Sequence, residues 1–152
     1  ADRRVALTLS DGFCVERHRD SFLHLIKNHV DLVFANEDEA LSLYQTDNFD
    51  EAVERMQADA GLAAITRSEK GSVVISPEGA VAVAAEPVDK VVDTTGAGDQ
   101  YAAGFLFGVS RGLPLETCAK LGHIAAAEVI SHYGPRPEVS LAELARIAGI
   151  ET

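Results

Sequence analysis

The sequence predicts an α/β fold with a mainly parallel sheet and one antiparallel hairpin. Three observations carry this expectation. Short apolar runs alternate with segments of helical period through the first part of the chain, an order that joins parallel strands by crossover helices. Two strand-like runs, "GSVVIS" and "AVAVAAE", flank "PEG", which is a hairpin signal. The remainder is rich in alanine and carries helix start and stop residues.

The elements follow in order. "RVALTLS" (4–10) alternates apolar with small or polar residues and predicts a strand. "ERHRDSFLHLIKNH" (16–29) sets Phe22, Leu25, Ile26 and His29 on one face at helical spacing. "DLVFA" (31–35) is a short apolar run, the pattern of a buried strand. "EDEALSLY" (37–44) and "DNFDEAVERMQADA" (47–60) predict two helices, the second capped by Asp47 or Asn48 and stopped by Gly61. "LAAIT" (62–66) predicts another buried strand, and after the hairpin "KVVD" (90–93) predicts a strand end. Residues 97–109 and 114–131 predict two apolar helices, with Gly112 as a stop and Pro114 at an early helical position. "SLAELARIAG" (140–149) predicts a terminal helix with a capping box from Ser140 and Glu143.

The 152 residues fit one compact domain, and a 47% hydrophobic content supplies a core. The net charge of −11 argues against nucleic acid or an anionic membrane surface as partner, though not against one anionic ligand held locally. No apolar run is long enough to span a bilayer, and "ADRRVALTLS" has no signal-peptide core, so the cytoplasm is the expected compartment. Cys14 and Cys118 match no metal spacing and are expected as buried reduced thiols. The five histidines, His18, His24, His29, His123 and His132, have no spacing suited to zinc. The chain opens on a core-quality strand without a start methionine, so Ala1 is expected to be a cut point or processed end.

The chemistry concentrates in "VVDTTGAGDQYAAGF" (91–105). Gly96 and Gly98 permit tight backbone conformations and close approach by a ligand, and Ala97 keeps the turn narrow. A helix starting near Gly98 would present free N–H groups, which attract anions together with the helix dipole. Asp99 would sit in the first turn, where the dipole favours its carboxylate form. Two readings stand: Asp99 caps a tight strand-to-helix turn, or it accepts a proton beside an anion site, as phosphoryl transfer to a hydroxyl requires. The stretch is neither a Walker loop nor G-x-G-x-x-G.

"DTTGAGDQYAAGF" resembles the C-terminal signature of the ribokinase or PfkB-type sugar and nucleoside kinases. "NEDEA" (36–40) resembles the family's N-x-x-E motif, and "AITRSEKGSVV" (64–74) resembles the strand and loop that contact the nucleotide. "GHIAAAEVISHYGPRP" (122–137) resembles the helix and loop bordering the adenine pocket. The order of all four matches. "RRVALTLSDGFCVERHR" and "GPRPEVSLAEL" are similar to adenosine kinase-like sugar kinases within the family.

The resemblance implies a ribokinase-like three-layer sandwich, of which this chain is the C-terminal, ATP-binding portion. It implies ATP and Mg2+ as cofactors and a sugar or nucleoside as the small-molecule substrate. Asp99 would be the catalytic base, and the N–H groups of Gly96, Ala97 and Gly98 the anion hole. Asn36 and Glu39 would position Mg2+, partly through water. Thr66, Arg67, Ser68 and Gly71 would lie near the nucleotide, with His123 and Ala127 on the helix by the adenine. Carbonyls of Asp93 and Thr95, with the loop around Gly134, would be candidates for a monovalent cation such as K+. Two departures stand out. Ser68 occupies a place where the family usually has glycine, and the N-terminal half, which carries most substrate contacts and the lid, has no counterpart here. A half-chain of this kind exposes a sheet edge, so a homodimer is expected.

Bland explanations stand beside several of these residues. Glu37, Asp38 and Glu39 form an acidic first turn favoured by the helix dipole, which leaves Asn36 at the strand exit unexplained. Arg67 and Lys70 suit either phosphate or solvent. Arg17, His18 and Arg19 suit a solvated helix end. Gly104 and Gly108 suit close helix packing, and Tyr101, Phe105 and Phe107 suit the core.

Overall fold

The computed structural model describes residues 3–151. The expectation about Ala1 therefore lies outside the described residues. The chain forms two compact units where one was expected: the residues up to Arg67 with Ser72–Ala82, and Ser68–Gly71 with the residues from Val83 onward.

The first unit carries β1 (Ala6–Thr8), α1 (Gly12–Arg17), α2 (Arg19–Asn28), β2 (Leu32–Asn36), α3 (Glu37–Tyr44), α4 (Phe49–Asp59), β3 (Ala63–Thr66) and β4 (Ser72–Ser76). β5 (Gly79–Val83) follows β4 across the turn at Pro77 and Glu78. The strands lie in the order β1-β2-β3-β4-β5. β1, β2 and β3 are parallel, and β3 and β4 are antiparallel. The expected mixed sheet is therefore present. Alternate residues Val33, Ala35, Ala63, Ile65 and Ile75 join one hydrophobic cluster with Val15, Ile26, Leu43 and Met56 of the helices. The intervening Leu32, Phe34, Ala64 and Val74 are buried too. Burial on both faces explains why these strands read as unbroken apolar runs.

The predicted helix over 16–29 is two helices. Asp11 caps the first by accepting from the Cys14 N–H at 2.8 Å, and the chain leaves helical geometry at His18, with φ −120°. Ile26 is buried, whereas Leu25 and His29 are exposed. Arg19 belongs to a contact rather than to a solvated end: its Nε donates to the Leu43 carbonyl at 2.6 Å, at the close of α3. Asn48 caps α4, as expected.

The second unit carries a one-turn 3-10 helix (Ser68–Lys70), α5 (Ala97–Ser110), α6 (Leu115–Ile130) and α7 (Leu141–Ile147). The strand expected at 90–93 does not form. The Val92 N–H instead donates to the Ile130 carbonyl at 2.8 Å, so this apolar segment pairs with the end of α6. Gly104 and Gly108 serve close packing: a Cβ on Gly104 would lie 2.5 Å from the Leu121 carbonyl oxygen, and one on Gly108 2.8 Å from Cys118 Sγ. Tyr101 and Phe105 are buried, but Phe107 is 41% exposed, with the Arg111 guanidinium 5.2 Å from its ring centre. Cys118 is buried and Cys14 half-buried, and both are free thiols. Ser140 caps α7, while Glu143 lies 3.5 Å from Arg146. Among the described residues no helix is long and apolar enough to cross a membrane.

Candidate functional site

Asn36 ends β2 and begins α3, at the carboxyl ends of the parallel strands, where open α/β sheets place ligands. Its Oδ1 accepts from the Glu39 N–H at 2.8 Å. In return the Glu39 carboxylate accepts from the Asn36 N–H at 2.9 Å and from Asn36 Nδ2 at 3.1 Å. This is a reciprocal capping box, and it accounts for asparagine at the strand exit. The expectation that capping leaves Asn36 unexplained is therefore corrected. The signal was present in the spacing, since N-x-x-E has the same offset as a capping box.

Glu39 is only 6% exposed. Burial pushes its carboxyl above the usual glutamate range, and the charges of Asp11 and Asp38 add to the push, against the Asn36 N–H. A cation beside this carboxylate would relieve the excess negative potential. Among the described residues no group of three histidine, cysteine, aspartate or glutamate side chains converges on a metal position. One carboxylate and one amide fit a hydrated Mg2+, which keeps several waters and takes phosphate oxygens as ligands.

Thr66 is the register partner of Asn36, and its Oγ1 donates to the Ala35 carbonyl at 3.4 Å. Arg67 is engaged within its own unit. Its guanidinium donates to Glu37 Oε1 at 2.8 Å and lies 3.8 Å from the centre of the Phe49 ring. The Glu37 hydrogen bond raises the arginine's already high proton affinity. Arg67 thus ties the end of β3 to the first turn of α3, a role that neither phosphate nor solvent had suggested.

In the second unit, both ends of the 68–71 turn lie in the left-handed region. Gly71 has φ +89°, and a Cβ there would lie 2.0 Å from the Val83 carbonyl oxygen. Ser68 has φ +52°, a conformation that glycine adopts without cost. The departure at Ser68 therefore has a physical content: a side chain is held in the left-handed region.

The 93–99 turn is braced by Asp93. Its Oδ1 accepts from Thr95 Oγ1 at 2.7 Å and from the Thr95 N–H at 2.9 Å, and its Oδ2 accepts from the Gly134 N–H at 3.2 Å. The Thr95 hydroxyl, then the two N–H groups, hold this carboxyl below the usual aspartate range. Gly96, at φ +79°, is the N-cap of α5, and a Cβ on it would meet Pro135 Cβ at 2.6 Å. The helix begins at Ala97, as the 97–109 expectation had it: the Gly96 carbonyl accepts the first helical bond from the Gln100 N–H at 2.9 Å, and the Ala97 N–H donates back to the Thr94 carbonyl at 3.2 Å. This corrects the expected donor set. The Ala97 N–H is occupied, whereas among the described residues no protein group accepts from the N–H of Gly96, Gly98 or Asp99. Asp99 is the third residue of α5 and exposed, and among the described residues nothing holds its carboxylate. Sequence reasoning missed Gln100 and Pro135, which join at 3.1 Å and fasten the 132–139 loop to the turn.

His123 is buried against Tyr101, ring centres 5.0 Å apart, and hydrogen-bonds the Val83 backbone. Burial lowers its proton affinity, which the Val83 bond partly offsets. Ala127 lines a cleft of about 860 Å³ formed by residues 86–90 with α6 and α7. His123 is not in that lining.

A profile described as pfkB family carbohydrate kinase matches residues 6–141. The chain is 40% identical to the cytidine kinase of Thermococcus kodakarensis over 119 residues, covering 76% of this chain and 42% of that protein. The crystal structure of adenosine kinase from Sinorhizobium meliloti is 56% identical and superposes with a TM-score of 0.93, covering 96% of this chain and 45% of that one. A probable sugar kinase from Rhizobium etli superposes with a TM-score of 0.95 at 53% identity, covering 97% of this chain and 45% of that one. The chain thus spans less than half the length of each of these relatives.

Proposed function

The chain belongs to the pfkB family of carbohydrate kinases, with the α/β fold of ribokinase-type kinases, and from that premise we propose that it is the C-terminal, nucleotide-binding portion of an ATP- and Mg2+-dependent kinase. The acceptor is a hydroxyl of a sugar or nucleoside, with adenosine-like and ribose-like compounds first. Its relatives carry the names of nucleoside and sugar kinases, which supports that range.

One observation carries the reading: Asp99 is an exposed carboxylate with no protein partner among the described residues, in the same helical turn as unengaged N–H groups. Asp99 orients the acceptor hydroxyl and takes its proton as the hydroxyl oxygen bonds to the γ-phosphorus and the bond to ADP breaks. The N–H groups of Gly96, Gly98 and Asp99, with the dipole of α5, offset charge on the transferred group. Ala97 contributes its small size and holds Thr94. Asn36 and Glu39 hold waters of the Mg2+, which neutralises phosphate charge when bound. Thr66, Arg67, Ser68 and Gly71 shape the backbone beside the nucleotide, and His123 and Ala127 belong to the helix on its adenine side. A K+ ion would draw on the Asp93 and Thr95 carbonyls, because the Asp93 carboxylate already serves three donors.

A second reading is nucleotide binding without turnover, favoured by the chain's coverage of 42% of the cytidine kinase and 45% of the adenosine kinase. Calorimetric titration with Mg-ATP, beside a transfer assay on adenosine, cytidine and ribose, separates the two. Binding with transfer supports the kinase, binding without transfer supports the second reading, and absence of binding defeats both. Association of two copies through β1, the terminal strand of the sheet, is the assembly we expect.

A further inference from the structure

Glu128 lies on α6, next to Ala127 in the lining of the same cleft, has itself been assigned no role above, and is only 9% exposed. One of its oxygens gathers donors from a single loop. Oε1 accepts from the Glu138 N–H at 2.9 Å and the Val139 N–H at 3.3 Å, and His132 Nε2 lies 3.1 Å away. The other oxygen, Oε2, is buried with no hydrogen-bond partner. A half-engaged buried carboxylate is an expensive way to fill a helix face, since an apolar side chain of similar volume would avoid the desolvation cost. What it supplies in return is a fixed position for the 132–139 loop.

That loop is fastened a second time, to the 93–100 segment. The Gly134 N–H donates to Asp93 Oδ2 at 3.2 Å, the Pro135 carbonyl accepts from Gln100 Nε2 at 3.1 Å, and Pro135 sits against the missing Cβ of Gly96. The loop is therefore a strut. Its two ends, at His132 and at Glu138 and Val139, rest on Glu128 of α6, and its middle, at Gly134 and Pro135, rests on the turn whose N–H groups form the proposed anion site.

We propose that Glu128 is a positioning residue for the 93–99 turn, acting through the 132–139 loop to hold the Gly96, Gly98 and Asp99 N–H groups in place for a phosphoryl group. The importance for phosphate rests on the kinase reading above, whereas the mechanical link from Glu128 to the turn does not. Glu128→Gln keeps an acceptor at Oε1, and Glu128→Ala removes it.

The test is amide hydrogen exchange by NMR on the unsubstituted protein and both variants, with calorimetric titration of Mg-ATP. Glu128→Ala is expected to speed exchange at Gly134 and Ala97 by about tenfold or more, the effect of losing hydrogen bonds to a charged acceptor, while mid-helix amides of α6 stay within about twofold. Mg-ATP affinity falls by a similar factor, and Glu128→Gln restores both readings. Unchanged exchange at Gly134 and Ala97 in Glu128→Ala overturns the proposal, as does a glutamine variant that behaves like alanine. If Glu128→Ala fails to fold, His132→Ala removes one donor from the rim. Faster exchange at Gly134 then supports the strut, and unchanged exchange overturns it. Failure of the unsubstituted protein to bind Mg-ATP counts against the kinase reading, while amide exchange decides the positioning role by itself.

Discussion

Replacing Gly71 with alanine tests whether the turn assigned to the nucleotide is dictated by its backbone. Two costs add. At φ +89° an alanine occupies the left-handed region, at a cost of about 1–2 kcal/mol. Its Cβ would also lie 2.0 Å from the Val83 carbonyl oxygen and 2.9 Å from the Ala85 nitrogen, both main-chain atoms. Backbone must therefore move, and overpacking of this kind costs about 1–3 kcal/mol. The sum is roughly 2–5 kcal/mol, a large share of the total stability of a domain. At about 2–4 °C per kcal/mol the melting temperature falls by roughly 4–20 °C. Gly79→Ala is the control: its φ is +143°, but no atom lies within 4 Å of the new Cβ, so only the backbone cost remains. Ser68→Gly runs the other way, because relief of the left-handed serine offsets the added chain entropy and leaves a gain of roughly 0–1 kcal/mol. Thermal denaturation followed by circular dichroism ranks the variants Ser68→Gly, Gly79→Ala, Gly71→Ala from most to least stable. Gly71→Ala melting with or above Gly79→Ala would refute the reasoning, since the steric contact with Val83 would then have no energetic weight.

Other consequences follow from the same geometry. Glu39 has a folded-state proton affinity above its unfolded one, so the native state binds the extra proton and stability falls as pH rises from the ordinary glutamate range through the raised value. Asp93 has the opposite sign: its contribution is present above the usual aspartate value and is lost as pH falls through the lowered one. Urea midpoints measured against pH should show the Glu39 component vanish in Glu39→Gln and the Asp93 component vanish in Asp93→Asn. Asn36→Ala removes both a cap and a donor to a buried carboxylate, and a loss of about 2–4 kcal/mol is expected in the same urea assay. Gly104→Val would drive side-chain atoms into the Leu121 backbone and separate α5 from α6, an effect of at least about 3 kcal/mol measured by denaturation.

The parts of the fold that the sequence made legible are those with local causes. α3 runs over 37–44 as expected because an asparagine, an acidic first turn and an apolar stripe all mark the same boundaries. The hairpin follows from its turn residues. The misreadings have nonlocal or overlooked causes. "KVVD" has strand composition, but its N–H partner is the end of α6, almost forty positions away in the chain. The break at His18 separates a first helix, which starts at Gly12 under the Asp11 cap, from a second that starts at Arg19. Residues of the candidate site were found by motif, but their local jobs were not. Asn36 and Glu39 cap each other, Arg67 serves Glu37 and Phe49, and Ala97 serves Thr94. Asp99 and its neighbouring N–H groups emerge with no structural task among the described residues.

That distinction makes Asp99 the place to test the whole account. The measurement is transfer of labelled γ-phosphate from Mg-ATP to adenosine, cytidine and ribose by the protein and by Asp99→Asn, with Mg-ATP affinity taken by calorimetry on the same samples. The account predicts transfer to at least one acceptor by the unsubstituted protein, a loss of roughly 10²–10⁴-fold in Asp99→Asn, and nucleotide affinity retained within a few-fold. Transfer by Asp99→Asn within a few-fold of the unsubstituted protein would contradict it.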